Sequence, residues 1–372
     1  MENTGSLGSM SSDTSRISKR SEFLETTGWG QAEIGWLQQD ASTRRYARLV
    51  NSSGQTAILM DAPRIEPPPC TPGMSEQERH AAGWNAQSRL AGSRVEAFVL
   101  VAKHLQRIGL RPPEIYADDD QNGFILLEDF GENRELARLI EQDPAREHDL
   151  YKKAALVLAK LHQAALPDTI EAAGRVWPIL SFDAFALRAN TDLFADWLPE
   201  YDSRVEISEQ ARAHWDAVRD GLISRTNAFP RVFTLRDYHA ENLVYLPGNE
   251  IGLLDFQDAV AGWDAWDLAM LTQDARRYVS PETAQLTLRA YLDHTGTSET
   301  ALTERLAIIG TLNALRITGV FARLIERDRK PKYAAFMTRQ QTILARSLQH
   351  PATADMAGFI RQIAPFMFEG IS

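Results

Sequence analysis

Apolar positions follow two regimes along the chain. From Phe23 to about Glu128 they come in short β-like runs. "RRYARLV" and "TAILM" read as strands, and "NSSG" between them as the turn of a hairpin. "PRIEPPPCTPGMSEQERHAAG", with its closely spaced prolines, predicts a surface loop leading into helix. In "VEAFVLVAKHLQRIGL", Phe98, Val101, Leu105 and Ile108 repeat at helical spacing, and "GFILLEDFG" predicts a buried strand running into a turn. From about Asp149 the helical period dominates, in "LYKKAALVLAKLHQAAL", "FDAFALRANTDLFADWL", "EQARAHWDAVRDGLI" and further stretches beyond Trp266.

One segment interrupts the helices: "LRDYHAENLVYLPGNEIGLLDFQDAV", residues 235–260, in which five acidic side chains sit among strand-like apolar runs. Leu243 to Leu246 and Ile251 to Leu254 predict two strands, with "PGNE" as their turn. A hairpin of that kind returns Asp237, Asn242 and Asp255 to one end.

These patterns predict an α+β chain in two lobes. Residues 1–20, rich in Ser, Thr and Gly, read as a disordered tail. Residues 21–130 form a small β-rich N-lobe, and residues 131–372 a larger, mainly helical C-lobe with a β insertion. At 372 residues the chain is long enough for two lobes and a cleft.

Charge and composition then narrow the partners. Forty basic against 50 acidic residues give a net charge of -10, the wrong sign for a protein that grips a nucleic-acid backbone; a neutral or cationic small molecule fits better. No unbroken apolar run reaches the roughly 18 residues of a membrane helix. Cys70 is the only cysteine, which rules out an intrachain disulfide and a cysteine-built zinc site. With no signal-like N-terminus, the expectation is a cytoplasmic protein without membrane partners.

The candidate chemistry lies in the interrupting segment. An Asn and an Asp on neighbouring loops, Asn242 and Asp255, suit Mg2+, a hard cation that takes oxygen ligands and keeps waters and phosphates. A third carboxylate, Asp237, can take the proton of a hydroxyl, the division of labour that phosphoryl transfer needs. Singly, each would pass for a turn or capping residue.

"RDYHAEN", "LLDFQDA" and "WDLAML" together resemble the aminoglycoside phosphotransferase and choline kinase family, whose fold is similar to that of protein kinases. The resemblance runs from about Phe23 to the C-terminus and implies a small-molecule kinase using ATP and Mg2+. It implies Asp237 as catalytic base, Asn242 and Asp255 as metal ligands, and "LLEDFG" as the hinge, where Glu128 and Phe130 meet adenine through their backbones. It also implies that Asp267 braces the catalytic loop through backbone hydrogen bonds.

Two departures accompany the likeness. Leu235 stands where the family places a His, and the strand of "AILMDAP" ends in Asp61 where kinases carry a Lys for the phosphates. "QQDASTRRYARLV" offers a substitute in Ser42, Thr43, Arg44 and Arg45, with Arg48 behind them, as phosphate-binding groups; the arginines read equally as a solvated strand face. "DASTRRYAR" with "MDAP" resembles a bacterial subgroup that phosphorylates the anomeric hydroxyl of the cell-wall amino sugars N-acetylmuramate and N-acetylglucosamine. An aminoglycoside or choline type kinase, and a nucleotide-binding regulatory protein without catalysis, are the alternatives. His239 and His162 read as structural histidines, and Trp263 and Trp266 either as core or as a sugar platform. Asp258 reads as a site residue or a cap.

Overall fold

The computed structural model describes residues 6–38, 44–65, 71, 73–83 and 94–369. The first lobe contains helices α1 (Ser6–Thr26), α2 (Glu76–Ala81) and α3 (Val95–Arg107). Its strands are β1 (Glu33–Trp36), β2 (Arg45–Val50), β3 (Thr56–Asp61), β4 (Ile115–Asp119) and β5 (Phe124–Glu128). They make one antiparallel sheet in the order β1-β2-β3-β5-β4. The expected hairpin is β2–β3, paired from Arg45 opposite Asp61 to Val50 opposite Thr56.

The period of two assigns the two faces of this sheet. Ala47, Leu49, Ala57, Leu59, Phe124 and Leu126 pack on the back, together with Phe23 and Leu24 of α1. Tyr46, Arg48 and Ile58 face the cleft. The reading of residues 1–20 as a disordered tail is corrected for Ser6–Arg20, which belong to α1; residues 1–5 lie outside the described residues. The cause is tertiary: Arg16 donates to both a buried carboxylate and backbone carbonyls. Its Nε and Nη2 reach Asp61 Oδ1 at 2.9 and 2.5 Å, its guanidinium lies 3.8 Å from the Phe124 ring centre, and Arg20 stands 3.7 Å from Asp61. Asp61, 2% exposed, thus ends β3 on the face away from the cleft and anchors α1.

The second lobe begins after β5 with α4 (Leu136–Gln142) and α5 (Glu147–Gln163), then the ribbon β6 (Thr169–Ala172) and β7 (Arg175–Pro178). Helices α6 (Ala184–Tyr201) and α7 (Glu209–Arg225) precede strands β8 (Arg231–Thr234), β9 (Leu243–Leu246), β10 (Glu250–Leu253) and β11 (Val260–Trp263). Helices α8 (Asp264–Thr272), α9 (Pro281–Thr295), α10 (Glu299–Glu326), α11 (Ala334–Ser347) and α12 (Ala354–Ile363) complete the chain. β9 pairs with β10 as the "PGNE" turn predicted, and β8 with β11, so two small ribbons carry the interrupting segment.

α10 runs along α6 so closely that a Cβ on Gly319 would sit 2.2 Å from the Leu193 backbone carbon. Among the described residues α10 alone has the length and hydropathy of a membrane span, which the search for unbroken apolar runs passed over; 78% of its apolar window is buried inside the protein, as in a core helix.

Candidate active site

The loop from Leu235 to Asn242 leaves β8 and enters β9, and it is fixed from several sides. Asp267, fully buried at the start of α8, accepts the backbone N–H groups of Leu235 and Arg236, both at 2.8 Å. Trp266 Nε1 donates to the Arg236 carbonyl at 3.2 Å. Between these clamps Arg236 holds φ at +77°, a left-handed conformation that costs a non-glycine residue roughly 1–2 kcal/mol. Further on, Tyr238 donates its hydroxyl to the Ala154 carbonyl of α5 (2.8 Å), and the Asn242 amide donates to the Asp237 carbonyl (2.9 Å). That bond leaves Asn242 Oδ1 as the oxygen able to meet a cation.

Asp255 follows β10, so the hairpin returns it beside Asp237 and Asn242, and all three line one cleft of about 580 Å³. Its own φ is +53°, a second strained residue at the same place. Phe256 beneath it is fully buried and lies 4.7 Å, ring to ring, from Phe98 of α3, which ties this loop to the first lobe. Asp258 also lines the cleft; Gln257 bridges Asp255 (2.8 Å) and Asp258 (3.3 Å).

The two carboxylates differ electrostatically. Burial by itself would raise the Asp237 carboxyl, but nearby Arg236 and Arg316 outweigh it and keep the group below the ordinary value, hence ionised. Burial, with the like charges of Asp237 and Asp258, pushes Asp255 up despite Arg44 and Gln257. The positive charge beside Asp255 is too little to offset its burial and its like-charged neighbours, and oxygen donors from Asn242 and Asp255 fit a hard divalent cation. No group of three or more His, Cys, Asp and Glu among the described residues is arranged to cage a metal alone, which suits an ion that completes its shell with waters and phosphates.

Of the phosphate-binding candidates in the first lobe, Arg44 is 8% exposed and reaches Asp255 at 3.1 Å and Asp258 at 3.9 Å. A cation from β2's lead-in thus occupies the cleft where a strand lysine was missing. Arg45 is not brought to the cleft: alternation turns it to the other face, where its guanidinium lies 4.1 Å from the Trp36 ring centre. Arg48 lines the cleft but is committed to Asp129, at 2.6 and 3.0 Å. Ser42 and Thr43 lie outside the described residues.

Glu128 and Phe130 line the cleft at the crossing between lobes. The Glu128 side chain is held by Arg111 (2.7 and 2.5 Å), leaving only its backbone to serve a ligand, and Phe130 packs on Val244 and Leu246 of the second lobe. His239 and His162 are both buried. Burial, with Arg276, pulls the His239 imidazole down to about 4, and His162 meets the Tyr291 hydroxyl at 2.9 Å. Trp263 is buried in the core, and Trp266, also buried, lines the cleft.

Sequence reasoning missed the arginines of the opposite wall: Arg236, Arg276, Arg316 and Arg323 all line the cleft. For two of them the available signal was a place in an otherwise apolar helix: Arg316 and Arg323 fall seven residues apart in α10, on one face with Val320.

A two-lobed fold whose cleft is walled by a strand sheet on one side and holds an Asp, an Asn and an Asp on two braced loops defines a phosphotransferase of the kinase type. The sequence profile of the APH phosphotransferase enzyme family matches residues 36–303, and the chain belongs to that family. It is 39% identical over 362 residues to the N-acetylmuramate/N-acetylglucosamine kinase of Caulobacter vibrioides, covering 96% of this chain and 99% of that one. It is 31% identical over 332 residues to the enzyme of the same name from Pseudomonas aeruginosa, covering 86% of this chain and 85% of that one. In three dimensions it is similar to the choline kinase LicA from Streptococcus pneumoniae (TM-score 0.54, 13% identical, 90% of this chain and 99% of that one), a likeness of fold.

Proposed function

We propose that this protein is an ATP- and Mg2+-dependent kinase that phosphorylates the anomeric hydroxyl of N-acetylmuramate and N-acetylglucosamine. The observation that carries the chemistry is Asp237, kept ionised on a strained and doubly clamped turn that faces Asn242 and Asp255 across one cleft. The relatives that match nearly the whole chain carry the sugar in their names.

Adenine enters under the sheet, against the Glu128 and Phe130 backbone, between Ile58 and Leu254. Arg44, with Ser42 and Thr43, meets the phosphates in place of the strand lysine. When bound through Asn242 and Asp255, Mg2+ supplies positive charge to the terminal phosphates. Asp237 accepts the sugar's hydroxyl proton as the oxygen attacks the terminal phosphorus; the bond from that phosphorus to the ADP oxygen breaks, and sugar 1-phosphate and ADP result. The supply of ATP fits a cytoplasmic protein acting on a small dissolved sugar.

A cationic acceptor such as choline or an aminoglycoside is disfavoured by the four arginines of the cleft wall. Incubation with ATP, Mg2+ and a panel of N-acetylmuramate, N-acetylglucosamine, glucose, choline and kanamycin, read by phosphorus NMR, tests the proposal: a sugar 1-phosphate is expected, and product from kanamycin or choline alone refutes it. Asp237→Asn should lower kcat at least about 100-fold with nucleotide binding kept. Full turnover in that variant removes Asp237 from its role.

A further inference from the structure

The cleft has a side recess of about 80 Å³ on the far side of Asp237 from the sheet, lined by Arg276 and Arg316 with Met270, Val320 and Phe321. Arg316 spends Nε and Nη2 on one amide oxygen, that of Asn313, at 3.0 and 2.8 Å. It lies 5.6 Å from the Trp266 ring centre, and Arg236 lies 5.1 Å from that of Phe182. Among the described residues neither Arg236 nor Arg316 forms an ion pair, and Arg236 Nε is buried without a partner. Arg276 is 41% exposed in its side chain and 3.6 Å from Glu241.

Such an arrangement is poor economy for a protein that needs only fold. Burial, with repulsion from Arg236 and Arg276, draws the Arg316 guanidinium down to about 10, with Asp237 opposing. The other carboxylate in the recess, Asp274, has one oxygen accepting from the Arg276 backbone N–H at 2.8 Å and the other buried without a hydrogen-bond partner. Beside these carboxylates, Arg316 outside any ion pair and Arg236 with a buried, unpartnered Nε leave guanidinium N–H groups able to meet an anion. Two anions enter this cleft, the triphosphate and any acid group on the acceptor. The triphosphate extends from the sheet side, where Arg44 sits against Asp255. The recess shares Asp237, the proposed base, with the cleft, and its wall of Met270, Val320 and Phe321 adds apolar surface for a short alkyl branch.

We infer that Arg316, with Arg236 and Arg276, forms a carboxylate subsite that receives the lactyl arm of N-acetylmuramate, so that these arginines decide between the acidic and the uncharged amino sugar at one catalytic centre. The inference rests on the sugar kinase reading, and its test separates the two. Steady-state kinetics on N-acetylmuramate and N-acetylglucosamine are compared for the wild type, Arg316→Met, Arg316→Lys and Arg276→Gln, with the lactamide of N-acetylmuramate as a third substrate for the wild type. In Arg316→Met the ratio of kcat/KM for the acid to that for the uncharged sugar should fall roughly tenfold to a hundredfold, chiefly through KM for the acid. Arg316→Lys should recover part of the ratio, Arg276→Gln should lower it less, and the lactamide should lose a similar factor with the wild type. Arg276→Gln, near the surface, keeps the test informative should Arg316→Met fold poorly. Equal losses on both sugars would assign the arginines to the phosphoryl group or to Asp237 and overturn the subsite, as would an unchanged ratio in every variant. Phosphorylation of neither sugar by the wild type would instead overturn the sugar kinase reading and this one with it.

Discussion

Replacing Asp267 by Asn probes how the catalytic loop is held. The Asp267 carboxylate is fully buried and accepts two backbone N–H bonds, from Leu235 and Arg236, each 2.8 Å long. An asparagine keeps one acceptor oxygen and turns an NH2 towards the second N–H. One bond to a charged group is lost, about 1.5–3 kcal/mol, and a buried donor is orphaned, about 1–3 kcal/mol more. That sum of roughly 2.5–6 kcal/mol exceeds the roughly 1–2 kcal/mol of strain that φ +77° stores at Arg236. The turn then relaxes, and Asp237, the next residue, leaves its place. A misplacement of that kind costs about 100-fold in kcat. The assay is ADP release under saturating sugar and ATP, paired with urea unfolding to read the lost stability and with nucleotide titration, which should change little because the hinge is untouched. A kcat within threefold of wild type would refute the claim that Asp267 works by holding a strained turn.

Three further outcomes follow from individual contacts. Gly252→Ala places a Cβ 2.6 Å from the Phe130 ring, so stability should drop by roughly 1–3 kcal/mol and KM for ATP should rise; unaltered urea midpoint and KM would contradict the hinge packing. Arg16→Met leaves Asp61 charged at 2% exposure with Arg20 alone 3.7 Å away, and thermal unfolding should show a loss of roughly 2–4 kcal/mol; a neutral effect would mean that α1 does not dock through this pair. His239 titrates at about 4 when folded against an ordinary 6.5, so between those values the unfolded chain binds more protons. The stability is complete above pH 6.5 and falls by roughly 3 kcal/mol as pH drops to 4. His239→Gln should remove that share of the pH dependence in urea titrations, and an identical slope in both proteins would place the imidazole in water.

Much of the site was legible because its signals are local. Asp237, Asn242 and Asp255 lie on a hairpin whose strands and "PGNE" turn are written in consecutive residues, so their convergence needed only β geometry. Asp267, the acidic residue of "WDLAML", was assigned its bracing bonds by resemblance and makes them. Arg45 went astray by one residue: Arg44 and Arg45 are indistinguishable as neighbours in a basic run, and only the pairing of β2 decides which face each takes. The tail was misjudged because its composition lacks apolar side chains, whereas its docking uses two arginines on a carboxylate 45 and 41 residues away in sequence.

The sequence by itself determined the two-lobed α+β plan, the strand and helix order, and the convergence of Asp237, Asn242 and Asp255 on the interrupting segment, because periodicity, turn residues and spacing act over a few residues at a time. Only the tertiary structure decided that α1 is part of the first lobe, that Arg44 enters the cleft beside Asp255, and that Arg236, Arg276 and Arg316 line one cleft. Those residues come from four elements far apart in the chain, and the sign and strength of their electrostatics depend on distance and burial, which no linear pattern records.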